Sequence, residues 1–401
     1  MKYDSKYSWF RLLISLFIAT IGNVGMWAII VIMPSVEVEF AINRGLTSTP
    51  YALTMIGFAF GNIFFGKMVD KYGIIIVLVI SSLLCSVCYF SAILTNSIFV
   101  FSIIHFFLGL GSAASFGPLI ADISHWFKKR RGLAVSIAAS GNYFSGAIWP
   151  IILSKTLSED GWRSVYFSLS IITLLILFFS LIFLRRKIPV NFFDKDVKSL
   201  KLNFEKKISD NKLSLFLCVA GVGCCVAMSM PQVHVVSYCV DLGYGSIAGG
   251  QMLSVMLTGG IISRLISGII ADKIGGLKTL FIGSFLQCLA LFFYIPFDGI
   301  VSLYIISLLF GLSQGGIIPS YTIIIREYMP PEEAGTRIGI VIMLTIVGMA
   351  LGGWLSGKIY DIYGSYEMAF LNGIVWNFIN LAIVMYLLLI FFYAPKKREI
   401  R

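Results

Sequence analysis

Gly66-Lys67-Met68-Val69-Asp70-Lys71-Tyr72-Gly73 recurs 202 positions later as Gly268-Ile269-Ile270-Ala271-Asp272-Lys273-Ile274-Gly275. In each copy a Gly precedes an Asp by four residues and another Gly follows by three. Each copy also closes one long apolar segment and opens the next. A repeat placed this way in a 401-residue chain that is 58% hydrophobic marks a duplicated membrane protein, with parallel halves about an axis along the membrane normal.

Composition agrees. A mean hydropathy of +0.90 with 13% charged residues leaves too little polar surface for a water-soluble globule of this size. The net charge of +11 suggests nucleic acid in a soluble protein, but here the Lys and Arg fall between apolar segments. No nucleic-acid partner is expected, and the partner read from this pattern is a lipid bilayer.

Apolar runs able to cross about 30 Å of hydrocarbon lie at 9–33, 46–66, 74–94, 98–123, 133–153 and 164–184. Six more lie at 213–236, 246–270, 277–297, 301–325, 338–357 and 368–393. The prediction is an all-α polytopic membrane protein of 12 transmembrane helices in two six-helix bundles, 1–184 and 213–401, joined by a cytoplasmic linker at 185–212. With the amino terminus inside, every Lys and Arg except Arg44, Lys155, Arg163, Arg264 and Lys358 falls on the inner side. The positive-inside rule then gives a multi-pass protein of the cell inner (plasma) membrane with both termini cytoplasmic. The first apolar segment has no small-residue cleavage site and is expected to stay as the first helix.

The seven cysteines lie in or at the ends of apolar segments without metal-ligand spacing, so neither a metal site nor a cofactor is expected. No phosphate loop or zinc spacing supports an enzyme. Glycines 66 and 268 would let a neighbouring helix approach closely. Asp70 and Asp272 would accept from a helix amino terminus or pair with a cation, Arg131 being the partner suggested for Asp70. Together these residues make a cytoplasmic latch. A third match, Gly357-Lys358-Ile359-Tyr360-Asp361-Ile362-Tyr363-Gly364, falls on the outer face and reads as a helix end and turn, with a gating role as the alternative.

The six-plus-six pattern with this element after spans 2 and 8 resembles the major facilitator superfamily over the whole chain. Further runs narrow the likeness: Gly109-Leu110-Gly111-Ser112-Ala113-Ala114-Ser115-Phe116-Gly117-Pro118, His125-Trp126-Phe127-Lys128-Lys129-Arg130-Arg131-Gly132-Leu133-Ala134, Ser140-Gly141-Asn142, Pro231-Gln232-Val233-His234 and Ser263-Arg264-Leu265. In order and spacing they resemble the monocarboxylate and oxalate/formate transporter group. The sequence departs from that group in two places. Span 11 has no Lys or Arg within 338–355, where the oxalate branch has a second cation. Gly260 stands one turn before Arg264, where the monocarboxylate branch often has an acid.

Arg264 is the cation placed well inside a span. It lies about 12 Å from Asp272 along a helix rising 1.5 Å per residue, toward mid-bilayer, where a charge costs a few kcal/mol. No acid stands at comparable depth, so the expected counterion is a substrate carboxylate held by the planar guanidinium fork. Asn142, Tyr143, Asn23 and Gln314 are candidate substrate-binding partners, with helix–helix hydrogen bonding as the alternative role. His234 and His105 are candidates for proton coupling.

The expected function is secondary active transport of a small organic anion, a lactate-, pyruvate- or formate-like monocarboxylate, by alternating access and coupled to protons. The alternatives are an anion exchanger of the oxalate/formate type and a non-transporting ligand sensor derived from a transporter. Expected partners are a small carboxylate substrate and protons or a counter-anion, with the chain working as a monomer.

Overall fold

The computed structural model describes residues 3–128, 130–186 and 208–393, and its regular elements there are all helical. The first crossing combines α1 (Lys6–Gly22) and α2 (Val24–Phe40), which break at Asn23. The break is held by the Asn23 amide, whose Nδ2 donates to the Ala19 carbonyl at 2.8 Å. After the single turn α3 (Arg44–Thr47), α4 (Thr49–Tyr72) and α5 (Ile74–Leu94) make the second and third crossings. The fourth joins α6 (Ile98–Ser112) to α7 (Gly117–Ser124).

Spans 5 and 6 run through α8 (Arg131–Ala139), α9 (Gly141–Ile172) and α10 (Leu174–Phe183). The apolar stretch Leu133–Phe183 is 51 residues long. At 1.5 Å per residue that is about 77 Å, more than twice the hydrocarbon thickness. Gly161 breaks it with φ 81 and ψ 172, a backbone that side-chain-bearing residues rarely adopt, and so one helical run makes two crossings.

The second half holds α11 (Asp210–Asp241), α12 (Gly245–Ile274), α13 (Gly276–Phe293), α14 (Ile300–Gln314), α15 (Ile317–Tyr328), α16 (Pro331–Tyr363) and α17 (Glu367–Leu388). The repeated motif has a repeated conformation. Gly73 stops α4 at φ 82 and ψ 165, and Gly275 stops α12 at φ 85 and ψ 164. With no Cβ, each reverses the chain without strain. Large apolar side chains such as Phe99, Leu94 and Phe64 are 56–72% exposed, as a surface solvated by lipid allows.

An even number of crossings puts the start of α1 and the end of α17 on one face, here the terminal face; the other is the far face. The halves meet where α9 packs on α12, α4 on α16 and α2 on α11. Toward the far face this seam is tight. A methyl group on Gly353 would come within 2.8 Å of the Tyr51 ring, and one on Gly357 within 2.6 Å of the Ser48 hydroxyl.

Toward the terminal face the latch glycines differ from expectation. Among the described residues, nothing lies within 4 Å of a methyl placed on Gly66, Gly268, Gly335 or Gly339. Among the described residues, the close approach read for Gly66 and Gly268 is therefore not made here. The side chains of Asp70 and Arg131, and residues 187–207 of the linker, lie outside what the structure describes.

Candidate functional site

Arg264 sits half-buried on α12 at the seam. Its Nη1 donates to the Ala139 carbonyl of the other half at 2.9 Å, and Nε donates to the Gly315 carbonyl at 3.3 Å. Both acceptors sit where helices are interrupted. Ala139 ends α8 and Gly315 follows α14, so each carbonyl is freed from the helical ladder and carries the negative end of its dipole. The guanidinium carbon also lies 4.2 Å from the centroid of the Tyr143 ring, close enough for a cation–π attraction. Among the described residues no carboxylate comes within ion-pair distance of Arg264. Two carbonyl dipoles and a ring face offset part of the desolvation, and the net positive charge stays uncancelled.

Tyr143 is buried, and the bare face of Gly260 lets its ring approach α12; a methyl there would lie 2.9 Å from the ring. Asn142 is held beside it, because Trp27 Nε1 donates to both the Asn142 carbonyl (3.1 Å) and Oδ1 (3.2 Å). The structure therefore brings Arg264, Tyr143 and Asn142 to one place, with Trp27 as a fourth member that sequence reasoning did not name.

Asn23 and Gln314 make contacts of their own. Asn23 braces the break in the first crossing against the Ser115 carbonyl at 3.4 Å. Gln314 accepts from Gln232 Nε2 at 2.7 Å within the second half. Polar capacity is left over at both places: among the described residues, Asn23 Oδ1 in the first half and Gln232 Oε1 and Gln314 Nε2 in the second have no hydrogen-bond partner.

The two histidines are buried with both ring nitrogens engaged. His105 Nδ1 lies 2.7 Å from the Phe101 carbonyl and Nε2 lies 2.8 Å from the Tyr166 hydroxyl, inside the first half. A carbonyl only accepts, so Nδ1 carries the proton and Nε2 accepts from the phenol. His234 Nε2 donates to the Gly353 carbonyl at 2.8 Å, and Nδ1 accepts from the Tyr366 hydroxyl at 3.0 Å.

That phenol leads to the far-face cluster. Arg44 Nη1 donates to the Tyr366 oxygen at 2.6 Å and to Asp241 Oδ2 at 2.8 Å; Nη2 donates to Asp241 Oδ1 at 3.1 Å, and Nε to Glu37 Oε2 at 2.6 Å. Burial pushes the Tyr366 phenol well above its ordinary range, so it stays a hydroxyl. From the second half, Asp361 reaches the start of α3 and accepts from the amides of Arg44 at 2.8 Å and Gly45 at 2.9 Å. Asn43 takes the Leu46 amide at 3.0 Å. All three leading amides of α3 are thus satisfied, two of them across the seam.

Sequence reasoning singled out the Asp361 motif and His234 but missed Arg44 with its partners, and it missed a second buried pair. Arg11, grouped with the inner-side cations by its position near the terminus, is 1% exposed, and its Nε and Nη2 donate to Asp122 at 2.9 and 3.0 Å. A cation near the end of a span reads as solvated until the structure supplies an acid 111 residues away.

A family profile described as Major Facilitator Superfamily matches residues 12–336 and 250–400. The chain belongs to the Major Facilitator Superfamily. It is a membrane transporter that binds a small substrate. It is 25% identical over 311 residues to the agnestins efflux protein AgnL12 of Paecilomyces divaricatus, spanning 77% of this chain and 70% of that one. It is 23% identical over 290 residues to monocarboxylate transporter 13 of Rattus norvegicus, spanning 68% and 64%. Its fold matches a crystal structure of a bacterial homolog of the human lysosomal transporter Spinster, in an inward-facing and unoccupied conformation. That match has a TM-score of 0.74 at 12% identity and covers 98% of this chain and 100% of that one.

Proposed function

We propose that this superfamily member carries a small monocarboxylate, such as lactate, pyruvate or formate, by alternating access, with Arg264 as the carboxylate anchor. The observation that carries this reading is the deep guanidinium with no acid partner among the described residues, held by carbonyls from both halves. An arriving carboxylate would take the Arg264 fork and release the Ala139 carbonyl of the opposite half. Substrate binding and movement of the halves would then be one event. Tyr143 and Asn142 would shape the space beside the acid. The names of the two relatives point to different cargo, an agnestin and a monocarboxylate, and a guanidinium with no acid partner among the described residues favours the small acid.

In this reading bundles 1–184 and 213–401 rock about the seam, with the linker at 185–212 and both termini cytoplasmic. The far face is closed by Arg44, Asp241 and Asp361, and the latch of Gly66, Asp70, Arg131, Gly268 and Asp272 would close when the terminal face does. Proton coupling through His234 would act on the far-face cluster, to which Tyr366 joins it; His105 would act through the interior of the first half. Neither imidazole is bonded to the Arg264 group, and this observation favours anion exchange as the second reading. Proteoliposome uptake tests both. Stimulation of monocarboxylate uptake by an imposed proton gradient supports symport, uptake only against a loaded internal anion supports exchange, and no flux of any acid removes the proposal.

A further inference from the structure

Two adjoining cavities on the first half share Lys71 and Tyr72. One, of about 340 Å³, opens at the terminal face and is lined by Lys71, Arg185, Arg186 and the paired Arg11 and Asp122. The other, of about 670 Å³, is a groove along α4 and α6 walled by Phe60, Ile63, Phe64 and Phe106, with Lys67 and Lys71 at its terminal-face end.

Charge in the first cavity is one-sided. Its carboxylate, Asp122, is occupied by Arg11, and among the described residues Lys71, Arg185 and Arg186 have no acid within ion-pair distance. The Arg186 guanidinium rests 4.4 Å from the Tyr7 ring centroid, held at the pocket wall by that face. The groove is apolar and lipid-accessible, with Phe60 and Phe64 59% and 56% exposed. From Phe60 to Tyr72 it runs roughly 18 Å at 1.5 Å per residue, about the depth of one leaflet.

The second half supplies an internal comparison. At its equivalent turn the Gly276 amide donates to both oxygens of Glu327, at 3.2 and 3.1 Å, so an acid of the protein already occupies that place. At the turn after Gly73 the corresponding region is a pocket of cations.

We propose that the first half binds one anionic phospholipid from the terminal-face leaflet, its headgroup phosphate against Lys71, Arg185 and Arg186 and an acyl chain along the α4–α6 groove. The cations supply attraction to the phosphate, and the groove supplies the apolar contact that a soluble phosphate could not use. Lys71 sits at the junction of both contacts. It also belongs to the latch motif, so an occupied site would report on the position of the α4 end.

The test uses full-length protein in detergent micelles titrated with phosphatidylglycerol, phosphatidylcholine or glycerol 3-phosphate, with retained lipid counted by native mass spectrometry. One phosphatidylglycerol should be retained per chain, phosphatidylcholine should not, and millimolar glycerol 3-phosphate should fail to displace it. The Lys71→Gln/Arg185→Gln/Arg186→Gln variant should bind roughly a hundred-fold more weakly, the scale of three surface cations. Arg186→Gln alone, at an exposed position, should weaken retention about fivefold, and Lys273→Gln in the second copy should leave it unchanged. Equal retention of both lipids, or full retention by the triple variant, overturns the proposal. Displacement by glycerol 3-phosphate at the concentration of the lipid also overturns it and assigns the pocket to a soluble anion.

Discussion

At the scale of single residues, the arginine fork and the ring beneath it are the features a substrate acid would meet. Arg264→Lys keeps the charge but loses the planar pair of donors, and monocarboxylate uptake should fall at least about tenfold. Protein yield and the detergent melting profile should stay near wild type, because the position is only half-buried. Tyr143→Phe keeps the ring 4.2 Å from the guanidinium and should retain most uptake. Tyr143→Leu removes the ring face and should raise KM several-fold, on the scale of about 1 kcal/mol for a cation–π contact. That Arg264 and Asp272 share one helix was legible from the apolar run that ends at the motif. Arg44 was not, since its partners Asp241 and Tyr366 lie 197 and 322 positions away, and local sequence presents it only as a loop cation.

Helix ends decide which face of the molecule is closed. The turn α3 is too short to hold itself, and Asp361 supplies two charge-assisted hydrogen bonds to its first amides, each worth roughly 1.5–3 kcal/mol. Asp361→Asn should therefore shift the population toward an open far face by at least about tenfold. Spin labels at the exposed positions Leu46 and Ile362 would show this as a growing long-distance fraction; an unchanged distance distribution would mean that the Asp361 contact does not hold the face shut. Gly353→Ala should act in the same direction by pressing on Tyr51, whereas Gly335→Ala, with open space around it, should not. The third copy of the glycine–aspartate motif was visible in the sequence, but its partner helix was not, because a trans cap leaves no local signature. That a helix ends and another begins at each of the first two copies was legible from the apolar segments flanking them, whereas the positive φ at Gly73 and Gly275 came from the structure.

Across the whole molecule, the duplication, the twelve crossings and the membrane environment followed from hydropathy and the repeat, for lipid leaves few ways to satisfy a backbone. The kinks did not follow. Asn23, Ser140 and Gly315 interrupt spans that read as continuous apolar runs, and two of these breaks free or adjoin the carbonyls that hold Arg264. Coupling belongs to this scale too. His234→Gln should flatten the pH dependence of uptake more than His105→Gln, because the His234 network extends through Tyr366 to the contact between halves. Identical profiles in wild type and both variants would favour exchange. The most direct measurement of the central claim is binding by isothermal titration of purified wild-type and Arg264→Gln protein with pyruvate and with its uncharged amide. Wild type should bind pyruvate and not the amide, and Arg264→Gln should bind neither; equal pyruvate affinity in the two proteins would remove Arg264 as the carboxylate anchor.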